Sequence, residues 1–184
     1  MLRRPVEKST LKPFVFPAGF ILIQDTREQL PLFPENATPD GLQIENRCLR
    51  DGDYSVLGLE NIVAFERKQI SDFFGYIGKE RDRTTKKMQR FREIANRGGF
   101  VGLVIEACES DLFQGYHMSN VPTEVVRQSL VSFEVRYGVH CYLSRSRADI
   151  SRWLLDRAIK AYRMWYENIQ EEFKDLRSLK LKHK

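Results

Sequence analysis

Apolar residues fall along the chain in two rhythms. Short unbroken runs mark buried strands, and apolar residues three or four apart mark amphipathic helices. Phe20-Ile21-Leu22-Ile23 is the first run, and it ends at Asp25. Residues 29–41 carry Pro31, Pro34, Pro39 and Gly41 and read as a loop. Leu42 to Leu49 alternates, with Leu42 and Ile44 against Gln43 and Glu45, and predicts a strand. Asp51-Gly52 is a turn signal, and Tyr54 to Leu57 continues as strand. A second turn spans Gly58 to Asn61, before a strand from Ile62 to Lys68. Ser71 or Asp72 caps a short helix over Phe73, Phe74 and Ile77. Arg83 to Arg97 reads as a basic helix with Met88, Phe91, Ile94 and Ala95 on one face, stopped at Gly98-Gly99. Phe100 to Ile105 is another buried strand. Pro122 opens a helix containing Val125, Val126, Leu130 and Phe133, and Val139 to Leu143 is a last strand. Ile150, Trp153, Leu154, Ala158, Ala161 and Trp165 then recur at helical spacing.

Strands alternating with helices predict an α/β fold, one domain around a central mixed β-sheet flanked by helices. Pro5, Pro13 and Pro17 mark residues 1–19 as an extended lead-in, the domain itself spans 20–170, and 171–184 is a basic tail whose end, 180–184, is expected to be solvated and frayed. The 184 residues suit one domain, and a 42% hydrophobic content is enough for a core. Cys48, Cys108 and Cys141 are odd in number and widely spaced, which excludes a complete disulfide framework and a paired-cysteine zinc site. They point to a reducing, intracellular compartment, cytoplasmic (at the nucleoid) in a prokaryote or virus and nuclear in a eukaryote. No apolar run is long enough to span a bilayer, and no apolar segment follows the basic residues at the N-terminus, so neither a membrane anchor nor a signal peptide is expected.

Charge is the more informative property. The net charge of +5 is modest, but it is unevenly placed. Residues 1–66 hold 7 basic and 10 acidic residues, whereas residues 67–97 hold 10 basic and 4 acidic. An acid-bearing segment followed at once by a basic one suits a site that handles both cations and phosphates. Asp53 in Gly52-Asp53-Tyr54 precedes Glu66 in Phe65-Glu66-Arg67-Lys68, and two adjoining strands joined at Gly58 would bring the two carboxylates together. Alternation along a strand puts Glu66 and Lys68 on one face and Arg67 on the other. Carboxylate oxygens suit a hard cation that also binds phosphate oxygens, and such a cation can polarise a phosphodiester. A compact lysine charge can steady the negative charge that develops. A Glu-x-Lys pair alone is usually a solvated strand edge. Here, however, it ends the apolar run Ile62-Val63-Ala64-Phe65, where a charge is costly unless it serves something. Asp25 stands in the same circumstance, with Glu28 close behind it.

Taken in order, Asp25-Thr26-Arg27-Glu28, Gly52-Asp53-Tyr54, and Glu66-Arg67-Lys68 with Asp72 four residues after the lysine resemble the XPF-type structure-specific endonuclease domain. The resemblance covers about residues 20–145. It implies a restriction-endonuclease-like fold and magnesium- or manganese-dependent cleavage of branched, flap or fork DNA, in repair or recombination. Carried over by position, it implies Asp25, Asp53 and Glu66 as metal-binding carboxylates, Glu28 as a further ligand or water-orienting group, and Lys68 as the catalytic lysine. Arg67 would orient the site by pairing with an acid such as Asp72, and Arg81 would contact the scissile phosphate. For Asp72 a plain helix cap is an equal reading. Relatives usually carry a tandem helix-hairpin-helix domain, and some a helicase. Neither is read in these residues, so a homodimer through the nuclease domain or a partner chain is the expected source of extra DNA grip.

Arg81 just before the basic helix, and Arg83, Lys86, Lys87 and Arg90 on it, are candidate phosphate contacts, which position a duplex without reading sequence. Arg92 and Arg97 add to the same run. Tyr76, Tyr116 and Tyr142 are better placed in core packing than in base stacking. His117 and His140 are structural, and Cys108 is a small core residue. Two rival functions remain: a non-catalytic DNA-junction binding subunit, and a small-molecule phosphate hydrolase, for which no Gly-rich phosphate loop is present.

Overall fold

Six strands and five helices follow one another in a computed structural model that describes residues 12–114 and 120–182, with side chains described as far as Glu171. The strands are β1 (Ile21–Asp25), β2 (Gln43–Arg47), β3 (Tyr54–Val56), β4 (Val63–Gln69), β5 (Phe100–Glu106) and β6 (His140–Leu143). The helices are α1 (Ile70–Ile77), α2 (Arg81–Asn96), α3 (Glu109–Phe113), α4 (Thr123–Tyr137) and α5 (Arg147–Lys182). They form a single mixed sheet in the order β2-β1-β3-β4-β5-β6. β3 runs antiparallel to both its neighbours, and the β1·β2, β4·β5 and β5·β6 pairs are parallel. The expected α/β architecture with a mixed central sheet is therefore the observed one.

Strand alternation divides the core into two layers. Leu22, Tyr54, Val56, Val63, Phe65 and Val104 face α5, where Ile150, Trp153, Leu154 and Ala158 cover them. Ala64, Val101, Leu103 and Ile105 face the opposite layer, made by Phe73 and Phe74 of α1, Met88 and Phe91 of α2, and Val126 and Phe133 of α4. Trp153 packs closely on the sheet because Gly102 has no side chain: a Cβ there would lie 2.8 Å from both Phe65 and Trp153. The lead-in is anchored from residue 12 onward, with Phe14 and Phe16 against the α5 layer and Arg152 stacked over Phe14.

Several element ends differ from the sequence reading. Gln69, not Ser71 or Asp72, is the residue at the head of α1, so Asp72 lies inside the first turn. α2 starts at Arg81. α3 was not anticipated; Cys108 stands at its head and is half-buried rather than in the core. α5 runs to Lys182 and so takes in most of the basic tail, including 180–182, which was expected to be frayed. No glycine or proline stands between Val139 and Lys184, so nothing along the chain stops that helix. Tyr76 and Tyr142 pack as expected, Tyr142 stacking on Trp153. His140 is exposed and stacks on Phe100. Tyr116 and His117 lie outside the described residues. Among the described residues no helix is long and apolar enough to cross a membrane.

Candidate active site

The site forms where β3 and β4 meet, and a glycine makes it possible. Gly52 has φ +82°, and a Cβ there would sit 2.7 Å from the Phe65 carbonyl oxygen. With glycine in place the chain lies directly against β4. Asp53 then donates its backbone N–H to the Phe65 carbonyl at 2.6 Å, and its carbonyl accepts the Asp25 N–H at 2.8 Å. Its carboxylate Oδ2 accepts the Arg67 backbone N–H at 2.7 Å. Asp53 is thus clamped on both sides of Glu66. Burial and the Glu66 charge push its carboxyl up to about 7, against the opposing pull of Lys68.

Glu66 follows Ala64 on the face of β4 that carries α1 and α2, and it is fully buried. Two lysines hold it: Lys68 at 2.6 Å from Oε1, and Lys87 from α2 at 2.7 Å from Oε1 and 2.8 Å from Oε2. Burial would raise its carboxyl, but the two ammonium charges outweigh it and hold the group below its ordinary range. Burial likewise opposes charge on Lys68, and Glu66 and Asp53 reverse that, keeping the ammonium protonated. Lys68 also lies 5.1 Å from the centre of the Tyr76 ring. That ring is buried, and its hydroxyl has no hydrogen-bond partner among the described residues.

Asp25 ends β1 beside Asp53, but its carboxylate is fully engaged elsewhere. Oδ1 accepts the Arg27 backbone and Nε hydrogens, and Oδ2 accepts Arg27 Nη2 and the Leu49 N–H. The Arg27 hydrogen bonds lower its pKa to about 2 against a smaller burial effect. Asp25 therefore does not complete a three-carboxylate group with Asp53 and Glu66. Among the described residues no three His, Cys, Asp or Glu side chains are grouped to hold a metal ion.

Arg67 points to the α5 face, as alternation requires, but its partners are not Asp72. Its guanidinium binds Glu28 through Nε at 3.0 Å and Nη2 at 2.8 Å, and Glu106 through Nη1 at 2.9 Å. Arg147 at the start of α5 closes the group by binding Glu106 and the carbonyls of Leu30 and Pro31. Glu28 thus belongs to a structural ion network on the other face of the sheet. Asp72 is exposed, and it acts on Lys68 only through its charge.

The basic helix divides likewise. Arg81, Arg83 and Lys86 are exposed, Arg83 with a loose 3.7 Å pair to Glu80. Arg90 binds Asp51 at 2.5 Å, and Lys87 turns inward to Glu66 rather than outward to solvent. Glu106 and Arg147 are residues that sequence reasoning missed, and Lys87, read as a phosphate contact, is paired with Glu66 instead. For Lys87 a signal existed, because it shares the helical stripe of Thr84, Met88 and Phe91, all buried.

Comparison with known proteins agrees with this picture. Residues 24–156 match the ERCC4 domain. Two solved structures of XPF from Aeropyrum pernix, one of them in complex with DNA, are similar to the chain at 18% identity, with TM-scores of 0.56 and 0.57. Each superposition covers 74% of this chain, and 59% and 62% of those chains. The chain therefore spans about three-fifths of the XPF structures it resembles, and the likeness is one of fold. No curated protein matches the sequence.

Proposed function

This chain belongs to the ERCC4 domain family, and we propose that it is a divalent-metal-dependent endonuclease that hydrolyses phosphodiester bonds in branched, flap or fork DNA. The observation that carries the reading is the clamping of Asp53 onto β4 on both sides of the buried Glu66, through the Phe65 carbonyl and the Arg67 N–H, with Lys68 at 2.6 Å from Glu66. Two adjacent carboxylates are hard oxygen donors of the kind magnesium or manganese takes, since these ions keep several waters and share themselves with substrate phosphates. The donor set fits in kind, because the buried Glu66 and the Asp53 carboxylate held against β4 offer hard oxygens beside one another. When bound, such an ion polarises the scissile phosphodiester and lowers the pKa of a water.

The chain's own residues supply the remainder. Asp53, clamped by Arg67 and Phe65, and Glu66, buried, present rigid oxygens to the cation. Lys68 keeps its proton and sets a positive charge beside the phosphate, where negative charge develops. Asp25 organises the loop after β1, and the Arg67 network holds β4 in place from the opposite face. Arg81, Arg83 and Lys86 provide exposed charges for backbone phosphates. The XPF structure in complex with DNA supports DNA as the partner class. A homodimer or a partner chain adds grip on the branch.

The test is cleavage of labelled flap, fork, Holliday-junction and plain duplex DNA with magnesium, manganese or chelator. Metal-dependent cutting of the branched forms, lost in Asp53→Asn and Glu66→Gln, is expected. Undiminished cutting by both folded variants overturns the reading. One observation favours a second reading, a non-catalytic junction-binding subunit: both Glu66 oxygens rest on lysine and Asp25 on arginine. Tight, metal-independent junction binding without cutting is its signature.

A further inference from the structure

Lys87 reaches Glu66 from a different element of the fold. Its ammonium bridges both carboxylate oxygens, at 2.7 and 2.8 Å, while Lys68 takes Oε1 at 2.6 Å. Together the two lysines cover the carboxylate. With Asp53 included, two ammonium groups already stand against two acids, so an added divalent ion must take the place of one of them. The lysines are not held alike. Lys68 grows from the same strand as Glu66, contacts the Arg67 carbonyl at 3.3 Å and lies over the Tyr76 ring. Lys87 extends from α2 and, although its side chain is about as exposed as that of Lys68 (23% against 19%), it donates hydrogen bonds to Glu66 alone among the described residues.

We propose that Lys87 is a displaceable internal counter-cation: it sits on Glu66 in the metal-free protein, leaves when a divalent ion binds between Glu66 and Asp53, and so sets the metal concentration at which the site fills. This rests on the reading of Asp53 and Glu66 as the metal-binding pair. The reason is electrostatic. An ammonium and a divalent ion on one carboxylate repel strongly, and solvent ions screen little at a buried site. Lys68 is also held by the Arg67 carbonyl and the Tyr76 ring, so Lys87, which has no other hydrogen-bond partner among the described residues, is the one that yields. Lys87 acts through Glu66 and is a positioning residue. Its place among Thr84, Met88 and Phe91 explains why a charge stands on a buried stripe: it neutralises an acid that would otherwise be buried beside another acid.

The test is calorimetric titration of manganese into the full chain without DNA, for the wild type, Lys87→Met, Lys87→Gln and Lys87→Arg. Removing a like charge at contact distance shifts an ionic equilibrium by about one to three decades. Lys87→Met and Lys87→Gln are therefore expected to bind manganese at least about tenfold more tightly, and Lys87→Arg to stay near the wild type. The manganese concentration for half-maximal cleavage should fall in parallel. Equal or weaker manganese binding by Lys87→Gln with an unchanged circular dichroism spectrum overturns the proposal, even if Lys87→Met does not fold. Asp53→Asn separates the two levels. If it abolishes wild-type manganese binding while the Lys87 variants bind like the wild type, only the Lys87 proposal falls. If the wild type binds no manganese, or Asp53→Asn binds it equally well, the metal-site reading falls and takes this one with it.

Discussion

Asp53 and Arg67 are joined by a hydrogen bond from the Arg67 backbone N–H to Asp53 Oδ2 at 2.7 Å, which ties the Gly-Asp turn to the Glu-Arg-Lys strand immediately beyond Glu66. The bond needs an acceptor at Asp53, not a charge. Asp53→Asn therefore keeps the clamp and removes only the ionisable oxygen. Cleavage is expected to fall by at least about a hundredfold with the fold unchanged, as measured by single-turnover kinetics and circular dichroism.

The same variant tests the raised pKa. Asp53 holds its proton to about 7 in the folded chain, above its ordinary value of 3.8. Between those values the folded state binds more protons than the unfolded one, so this group's contribution to stability falls as pH rises from about 4 through 7. Asp53→Asn should accordingly be more stable than the wild type at pH 8, by about 1 kcal/mol or more, and nearly equal to it at pH 4. Urea unfolding in the presence of chelator at the two pH values checks this.

Among the described residues Glu66 is the one acid that two half-buried ammonium groups share. Glu66→Ala leaves both without an anion and is expected to cost about 3–5 kcal/mol. Adding Lys87→Met to Glu66→Gln should restore about 1–3 kcal/mol, because it removes one of the stranded charges. Urea unfolding of the two single variants and the double variant measures the coupling, and strict additivity would contradict the pairing.

Arg67 carries the ion network on the other face. Arg67→Met leaves Glu28 uncompensated in a buried place, and Glu106 with Arg147 alone. A loss of about 3–5 kcal/mol is expected. Arg67→Lys should recover only part of it, since a single ammonium cannot bind Glu28 through two nitrogens while reaching Glu106. Thermal melts of the two variants rank them.

Asp25 behaves in the opposite sense to Asp53. Its folded pKa is about 2, below the ordinary 3.8, so its stabilising contribution is present above about pH 4 and disappears as pH falls toward 2. Arg27 is 67% exposed, which limits the gain to about 1–2 kcal/mol after solvent screening. Asp25→Asn should therefore lower the melting temperature at pH 6 and converge with the wild type near pH 2.

Much of the site was legible along the chain. Alternation alone places Glu66 and Lys68 on one face of β4 and Arg67 on the other, and the turn at Gly58 brings Asp53 beside Glu66. The Gly-Asp step was readable as a turn, although the reason for glycine, contact with the Phe65 carbonyl, needed the neighbouring strand. Asp25 stands out in the sequence as a strand-end acid, and the family resemblance implied it as a third metal ligand. Arg27, two residues on, takes that carboxylate instead, and a strand-end pattern does not distinguish a free carboxylate from one that a neighbour has bound.

By itself, then, the sequence determined the order of the strands and of the longer helices, and the face on which each charged residue of β4 stands. These follow from backbone periodicity, which is local and set by residue spacing. Only the tertiary structure decided the partners. Arg67 meets Glu28 and Glu106, each 39 residues away, and Lys87 meets Glu66 across 21 residues. Long charged side chains have many rotamers and no directional preference of their own. Which carboxylate each one finds depends on where packing of the two apolar layers sets α2, β4 and β5 relative to one another.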